Sequence, residues 1–299
     1  MTDHFDVLVI GGGLVGLSVA WRTASRGLRV AVVDPAPTSG ASHAAAGMLA
    51  PVSEVTYTEE PLLQLGLASL ARWPAFAAEL AEGSGHDLDY RTDGTLDVAF
   101  GSDDLAALDE LATFIEKLGL PARRLTGREC RRLEPMLTPS VRGGLLAGGD
   151  AWVDPRRVTA ALLAALERQG GALVRSRVSG LEVSRETVTG VRLATGEPVG
   201  ADRVILAAGA WSGELEGLPP EVLPPVRPIK GQIMRLRSPR RSSSSACAAS
   251  CTARTSIWCR AATGSWSSGP PRRRWASTPG SPPEGSGSCC ATRGSSSPA

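Results

Sequence analysis

The chain has 299 residues, of which 42% are hydrophobic and 21% charged, with a formal net charge of +2. That balance excludes a wholly disordered chain and leaves room for two domains, while no uninterrupted apolar run is long enough to cross a bilayer. Aromatic residues make up only 4%, too few for a platform on which single-stranded nucleic acid could stack.

Residues 6–35 read DVLVIGGGLVGLSVAWRTASRGLRVAVVDP. Residues 6–10 are too short and too β-branched for a helix, and predict a buried parallel strand. Gly11, Gly13 and Gly16 stand at GxGxxG spacing. The first permits a tight turn, the second lets a pyrophosphate approach the backbone, and the third lets helix and strand pack closely. The helix that follows turns its free N–H groups and positive dipole end toward that pyrophosphate. Gly27 ends the helix and 29–33 form a second strand. Asp34 closes the unit roughly 20 residues past the turn, where a carboxylate accepts hydrogen bonds from an adenosine ribose. An acid there disfavours a 2′-phosphate and hence NADP; NAD and FAD remain.

Residues 38–51 (TSGASHAAAGMLAP) are a run of small side chains, read as a tightly packed loop or helix start, or as backbone lying against a flat ring. Residues 60–82 carry Leu and Ala at helical spacing, interrupted at Pro74. Residues 89–100 (DYRTDGTLDVAF) alternate around Asp93–Gly94 and predict a hairpin. Residues 105–118 predict an amphipathic helix ending before Gly119. Asp154, Pro155 and Gly170 bracket another helix as N-cap, first-turn proline and C-terminal glycine. Strands at 191–194 and 204–207 return the chain to a sheet. Strands interleaved with helices give an α/β fold: a parallel nucleotide-binding sheet, with the hairpin segments in a second, α+β domain. His43 and His86 are read as surface residues, Cys130 as structural, and Trp152 and Trp211 as packing either beside the site or in the core.

From about residue 240 the composition changes. Five of the six cysteines fall there, with eight Arg, one acid (Glu284), and no Lys, Phe or Tyr. The segment carries a net charge of +7, which leaves about −5 for the first 239 residues. Abundant Ser, Pro and Gly predict a disordered tail. A basic arm for RNA or membranes would use interspersed Lys and Arg. A metal site from Cys247, Cys251, Cys259, Cys289 and Cys290 lacks paired CxxC knuckles and histidines. With one cysteine in its body, the protein fits a reducing cytoplasm, and the N-terminal strand lacks a signal peptide's basic start.

Five motifs in order, IGGGLVGLSVAW, ASHAAAGMLAP, GDAWVDPRRV, ADRVILAAGAWS and VRPIKGQIMRL, resemble the glycine oxidase branch of the D-amino acid oxidase-like flavoenzymes. The resemblance covers about residues 1–239. It implies a Rossmann-like domain binding non-covalent FAD from residues 1–85 and 145–222, a partial substrate domain from 86–144 and 223–239, and an aberrant tail at 240–299. It puts Leu14 and Val15 beside the pyrophosphate, and Asp34 and Pro35 at the ribose. Ala41, Ser42, Ala46, Gly47 and Met48 fall near the isoalloxazine, Val178 at adenine, and Ala208 and Gly209 at a second backbone approach to the cofactor. Asp34 departs from the longer Glu usual there, a difference worth about 0.5–1.5 kcal/mol in one hydrogen bond. The implied activity is oxidation of glycine or a related small amine to the oxo acid, ammonia and hydrogen peroxide, feeding thiamine thiazole synthesis. A sarcosine or D-amino acid oxidase or dehydrogenase is the alternative. Implied partners are the amine substrate and O2, with a homo-oligomer in the intact family member and neither nucleic acid nor membrane.

The tail fits a shifted reading frame. If each new codon starts at the third base of the old one, SIWCR read on into the next Ala can become YLVPR, and GSWSSG can become ELVVG. EGSGSCCATRGSSSPA can become GVWELLRDARELLP, with apolar residues at helical spacing. The first two resemble the strands that follow KGQIMRL in the family, which puts the break near 239–243. The family's Arg and Tyr carboxylate clamp comes after that point, so no catalytic residue and no metal ligand is assigned. The break would also leave 231–236 as an unpaired apolar edge.

Overall fold

A computed structural model describes residues 4–223, 225–229, 234–237, 250–253, 256–260 and 265–269. The nucleotide-binding unit comes first. β1 (His4–Ile10) leads through the glycine turn into α1 (Leu14–Ala24), and β2 (Val30–Val33) follows. All four residues of β2 are buried, as expected of a strand covered on both faces. The small-residue run forms a short helix, α2 (Gly40–Ala44), and a two-residue strand, β3 (Met48–Leu49). Then come α3 (Glu60–Ser84), β4 (Thr95–Ala99), α4 (Ser102–Lys117), β5 (Arg123–Thr126), α5 (Gly127–Leu133), β6 (Gly143–Ala147) and β7 (Ala151–Trp152). The chain returns through α6 (Pro155–Arg168), β8 (Ala172–Val174), β9 (Val178–Ser184), β10 (Thr187–Leu193) and β11 (Pro198–Leu206). The strands β12 (Met234–Arg237), β13 (Ser250–Ala253), β14 (Ser256–Arg260) and β15 (Ser265–Gly269) complete the described elements.

Two larger sheets result. The first has the order β8-β2-β1-β11-β10-β9. Its four strands from β8 to β11 are parallel, and β10 and β9 add an antiparallel edge. The apolar faces of α1 and α6 cover one side of it: Leu17, Ala20 and Trp21 meet Val158, Leu162 and Leu166 over Val7, Val9, Val30 and Val32. Alternate residues Leu8, Ile10, Ala31 and Val33 point to the other side, where they pack with Val191 and Leu215. The α6 boundaries follow the sequence reading. Asp154 accepts a hydrogen bond from the Arg156 N–H, Pro155 opens the helix, and Gly170 takes φ +78° just past its end. The second sheet has the order β12-β15-β14-β13-β4-β6-β5. Residue 145, where the sequence reading sets a domain boundary, lies inside β6 and so in this second sheet.

Four expectations are corrected. α3 runs through Pro74 as one helix of 25 residues. Burial of Leu63 before the proline and of Ala77 and Leu80 after it, with Trp73 and Phe76 edge to face across it, offsets the roughly 3 kcal/mol that an internal proline costs. Residues 89–100 do not fold back as a hairpin. Arg91 bridges Trp152, Gly94 turns the chain at φ +87° against the Ala147 carbonyl, and β4 pairs with β6 and β13. Leu96 and Val98 are buried with Leu125 and Val141, so tertiary packing decides the pairing rather than the local turn signal. The segment after 240 contains three strands, β13 to β15; the rest of that expected disordered tail lies outside the described residues. β12 is not left unpaired, because it is hydrogen-bonded to β15. Among the described residues no helix is long and apolar enough to cross a membrane.

Candidate cofactor site

The site is built at the carboxyl edge of the first sheet, where ligands of open α/β sheets bind. β1 ends in the turn Gly11–Gly12–Gly13, flanked by β2 on one side and β11 on the other. Each glycine has its own reason. Gly11 holds φ +114°, and a Cβ there would stand 2.3 Å from the Ala207 carbonyl oxygen. A Cβ on Gly16 would stand 1.9 Å from the Gly11 carbonyl oxygen, so this glycine is what lets α1 sit on β1. At Gly13 a Cβ would meet only the Ser42 hydroxyl, at 3.1 Å, which leaves its outer face open to a ligand. Gly12 is the one the GxGxxG spacing misses: a side chain there would strike Pro37 and Asp34 at 2.9–3.1 Å.

Asp34 anchors the turn. Its carboxylate accepts from the Gly12 N–H at 2.6 Å and from the Ala36 N–H at 2.7 Å. Each oxygen keeps a further lone pair, so the group can also receive a ribose hydroxyl. Pro35 next to it is exposed. The chain then crosses the turn, with the Thr38 N–H donating to the Gly12 carbonyl at 2.8 Å and the Leu14 N–H donating to the Ser42 hydroxyl at 2.9 Å. The small-residue segment therefore docks directly on the first turn of α1. Val15, at 67% exposure, and exposed Ala41 leave an uncovered apolar rim there.

Trp152 positions the rest of that segment. Its ring N–H donates to the Ala46 carbonyl at 2.6 Å, and Met48 and Leu49 pair with Trp152 and Ala151. Gly47 takes φ +91°, and a Cβ there would lie 1.9 Å from the Val153 carbonyl oxygen, so packing on α6's approach requires it. Val178 opens β9 and packs on the face that holds Ile10 and Val33. Gly209 is exposed, with φ +56° and open space around it. Together these observations fit a dinucleotide cofactor: an open glycine face, a helix start, a carboxylate at the β2 tip, and an uncovered apolar rim.

Beside Met48 and Leu49 lies a cavity of about 580 Å³, walled by Leu63 and Trp73 of α3 and Leu108 and Leu111 of α4. Asp97 and Glu54 line it, and no Arg, Lys or His is among its described lining residues. Asp97 is half-buried as a residue through its exposure to this cavity. Removal of its carboxyl from bulk water, then the charges of Asp150 and Glu54, push its pKa up to about 8. Asp150 is fully buried and accepts from the Val52 and Ser53 N–H groups at 3.1 Å each. Burial raises its pKa, opposed by those bonds and by the Ser53 and Thr95 hydroxyls, which approach it without reaching hydrogen-bond geometry. Sequence reasoning missed Asp97 and Asp150; an acid inside an otherwise apolar strand pattern (TLDVA) is the signal that marks Asp97. His43 and His86 are exposed, while Cys130 is buried with its thiol pKa raised by that burial. Among the described residues no His, Cys, Asp and Glu group could hold a metal ion.

Residues 6–264 match the family described as FAD dependent oxidoreductase (DAO). The chain belongs to this family. The glycine oxidase of Geobacillus kaustophilus is 33% identical over 241 residues, covering 80% of this chain and 63% of that protein. The bifunctional protein ThiO/ThiG of Trichormus variabilis is 33% identical over 235 residues, covering 78% of this chain and 34% of that one. The chain thus spans less than two thirds of these relatives' length. The crystal structure of the Geobacillus kaustophilus glycine oxidase superposes with a TM-score of 0.79 at 29% identity, covering 89% of this chain and 71% of that one. As a member of this family the chain has FAD as its cofactor, and its fold is shared with the crystal structure of the Geobacillus kaustophilus glycine oxidase.

Proposed function

We propose that the intact gene product oxidises glycine or a related small amine or D-amino acid. In net terms glycine, O2 and water would yield glyoxylate, ammonia and hydrogen peroxide. The observation that carries this reading is the docking of the 41–49 segment. Ser42 fixes one end on α1 and Trp152 fixes the other, so that the segment runs from the start of α1 to Met48 at the cavity wall. The similarity to a glycine oxidase and to a ThiO/ThiG protein favours a role in thiamine biosynthesis.

The bound flavin supplies the electron acceptor. This chain's residues hold and shield it: Gly11 and Gly13 admit the pyrophosphate, Asp34 and Pro35 border the ribose, and Leu14 and Val15 present the helix start. Ala41, Ser42, Ala46, Gly47 and Met48 border the isoalloxazine, with Val178 and Gly209 completing the cradle. With β6 (Gly143–Ala147) kept whole in the second sheet, this assigns residues 1–85 and 148–222 to cofactor binding and 86–147 and 223–239 to the substrate side. A substrate carboxylate needs a cation, which the described cavity lining lacks, consistent with a clamp encoded beyond the frame break.

A second reading is favoured by the composition after residue 240: a chain that binds FAD without turnover. Two proteins tested in parallel separate the two readings, the chain as encoded and the product of the gene with one base corrected near the codon for Pro239. Peroxide from glycine, sarcosine or D-alanine with the corrected product alone supports both the oxidase and the break. Equal turnover by the two proteins refutes the break, and no turnover by either refutes the oxidase.

A further inference from the structure

We propose that the indole of Trp211 is a wall of the cofactor cleft, closing on bound FAD from the β11 side and strengthening its hold. The inference goes beyond the glycine turn and the small-residue segment, and rests on the FAD reading of that site.

Trp211 does not fill the core. It is 55% exposed, whereas Trp21 and Trp152 are 3% and 5% exposed. It lies in the 3-10 turn Gly209–Glu214 that directly follows β11, at the same carboxyl edge as the glycine turn. Its ring atoms stand 3.7 and 3.8 Å from where a Cβ on Gly40 would be, so the indole rests beside the Gly40 backbone. Gly40 is itself tied to the nucleotide turn from both sides. Two residues before it, Thr38 donates to the Gly12 carbonyl, and two residues after it, Ser42 accepts from the Leu14 N–H.

Topology sharpens the point. β2 and β11 flank β1, so a contact between the segment after β2 and the turn after β11 spans the edge above Gly11–Gly13. A large flat apolar ring left uncovered at that place suits a ligand that carries flat aromatic rings. Such a ligand buries the indole on binding. Gly209, at φ +56°, turns the chain out of β11 into the segment that carries the ring.

The test measures FAD affinity of the full chain, its Trp211→Ala form and its Trp211→Phe form by equilibrium dialysis, alongside tryptophan emission and the thermal midpoint of the apoproteins. Trp211→Ala should weaken FAD binding about tenfold and Trp211→Phe roughly two- to threefold, and both should lose part of the FAD-induced quenching. Their apo midpoints should stay within about 2 °C of the parent. Equal affinity in the parent and Trp211→Ala overturns the proposal. So does a loss of affinity matched by a collapse of apo stability in both variants, which would make the indole a packing residue. A halved mass for Trp211→Ala by light scattering, with FAD affinity kept, overturns it in favour of a subunit contact. A parent chain that binds no FAD overturns the cofactor assignment and this inference together, whereas a parent that binds and variants that bind equally overturn only the role of Trp211.

Discussion

Asp97 gives a stability-versus-pH test of the second sheet. It lies in the middle of β4, opposite Leu145 of β6 and Thr252 of β13, and its carboxyl pKa is raised from 3.8 to about 8. The folded state therefore keeps a proton that the unfolded chain releases near pH 4. The stability this contributes is fully present below about pH 4 and is lost as pH rises toward 8. A gap of about four units at ~1.4 kcal/mol each sets a ceiling near 6 kcal/mol. Asp97 faces a cavity and is not sealed in the core, so solvent screening lowers that ceiling and a loss of about 2–3 kcal/mol between pH 5 and 8 is expected. Asp97→Asn keeps the shape and cannot ionise. Urea unfolding of the two proteins at pH 5, 6, 7 and 8 should show the variant near the parent at pH 5 and more stable by about 2–3 kcal/mol at pH 8. Asp150, also raised, tilts both proteins the same way, while Asp6 and Glu129, both lowered, tilt both the other way. The difference between the two curves therefore isolates Asp97 and its coupling to its acidic neighbours. Parallel curves agreeing to about 0.5 kcal/mol at every pH would refute the account of a neutral carboxyl in the cavity wall.

Gly16→Ala should cost at least about 3 kcal/mol, because its Cβ would stand 1.9 Å from the Gly11 carbonyl oxygen; thermal melts and FAD dialysis should both report the loss. Ser42→Ala removes the acceptor of the Leu14 N–H and should lower stability by about 1 kcal/mol in urea, with weaker FAD binding. Asp154→Ala removes the α6 N-cap and should also cost about 1 kcal/mol, with FAD affinity unchanged at saturating protein stability. Cys130, buried and with its thiol pKa raised, should stay unmodified by iodoacetamide in the native protein and react once urea unfolds it; peptide mapping by mass spectrometry distinguishes it from the other cysteines.

The cofactor half was legible because its constraints are local. Strand, glycine turn, helix, strand and acid follow one another within about 30 residues, so residue spacing alone carries the geometry. Even there, spacing named Gly11, Gly13 and Gly16 but not Gly12, whose constraint comes from Pro37, 25 residues away. Asp34 was legible as an acid for ribose, while its bonds to the Gly12 and Ala36 N–H groups needed the closed turn. The second sheet was less legible because its pairing is long-range. Asp93–Gly94 carries a strong local hairpin signal, yet β4 finds its partners about 50 residues away in β6 and about 155 away in β13. Pro74 misled for a similar reason, since aromatic packing on both sides of it outweighs a lost helical hydrogen bond.

The same contrast bears on function. The residues proposed to hold FAD lie between Gly11 and Trp211, and the sheet that positions them is closed by β9, β10 and β11; among the described residues no strand of it comes from beyond residue 206. The second sheet takes four of its seven strands, β12 to β15, from residues 234–269. A change of reading frame near 239–243 therefore strikes the two halves unequally. It would leave the redox half's hydrogen bonds and glycine contacts intact and would change the side chains on β13, β14 and β15, whose backbones pair in a continuous sheet. On the proposed function, cofactor binding should outlast substrate choice. FAD affinity of the encoded chain should then match that of the frame-corrected product within about threefold, while glycine turnover separates them by orders of magnitude. Affinities that differ as widely as the turnover would mean that the second sheet supports the cofactor as well as the substrate.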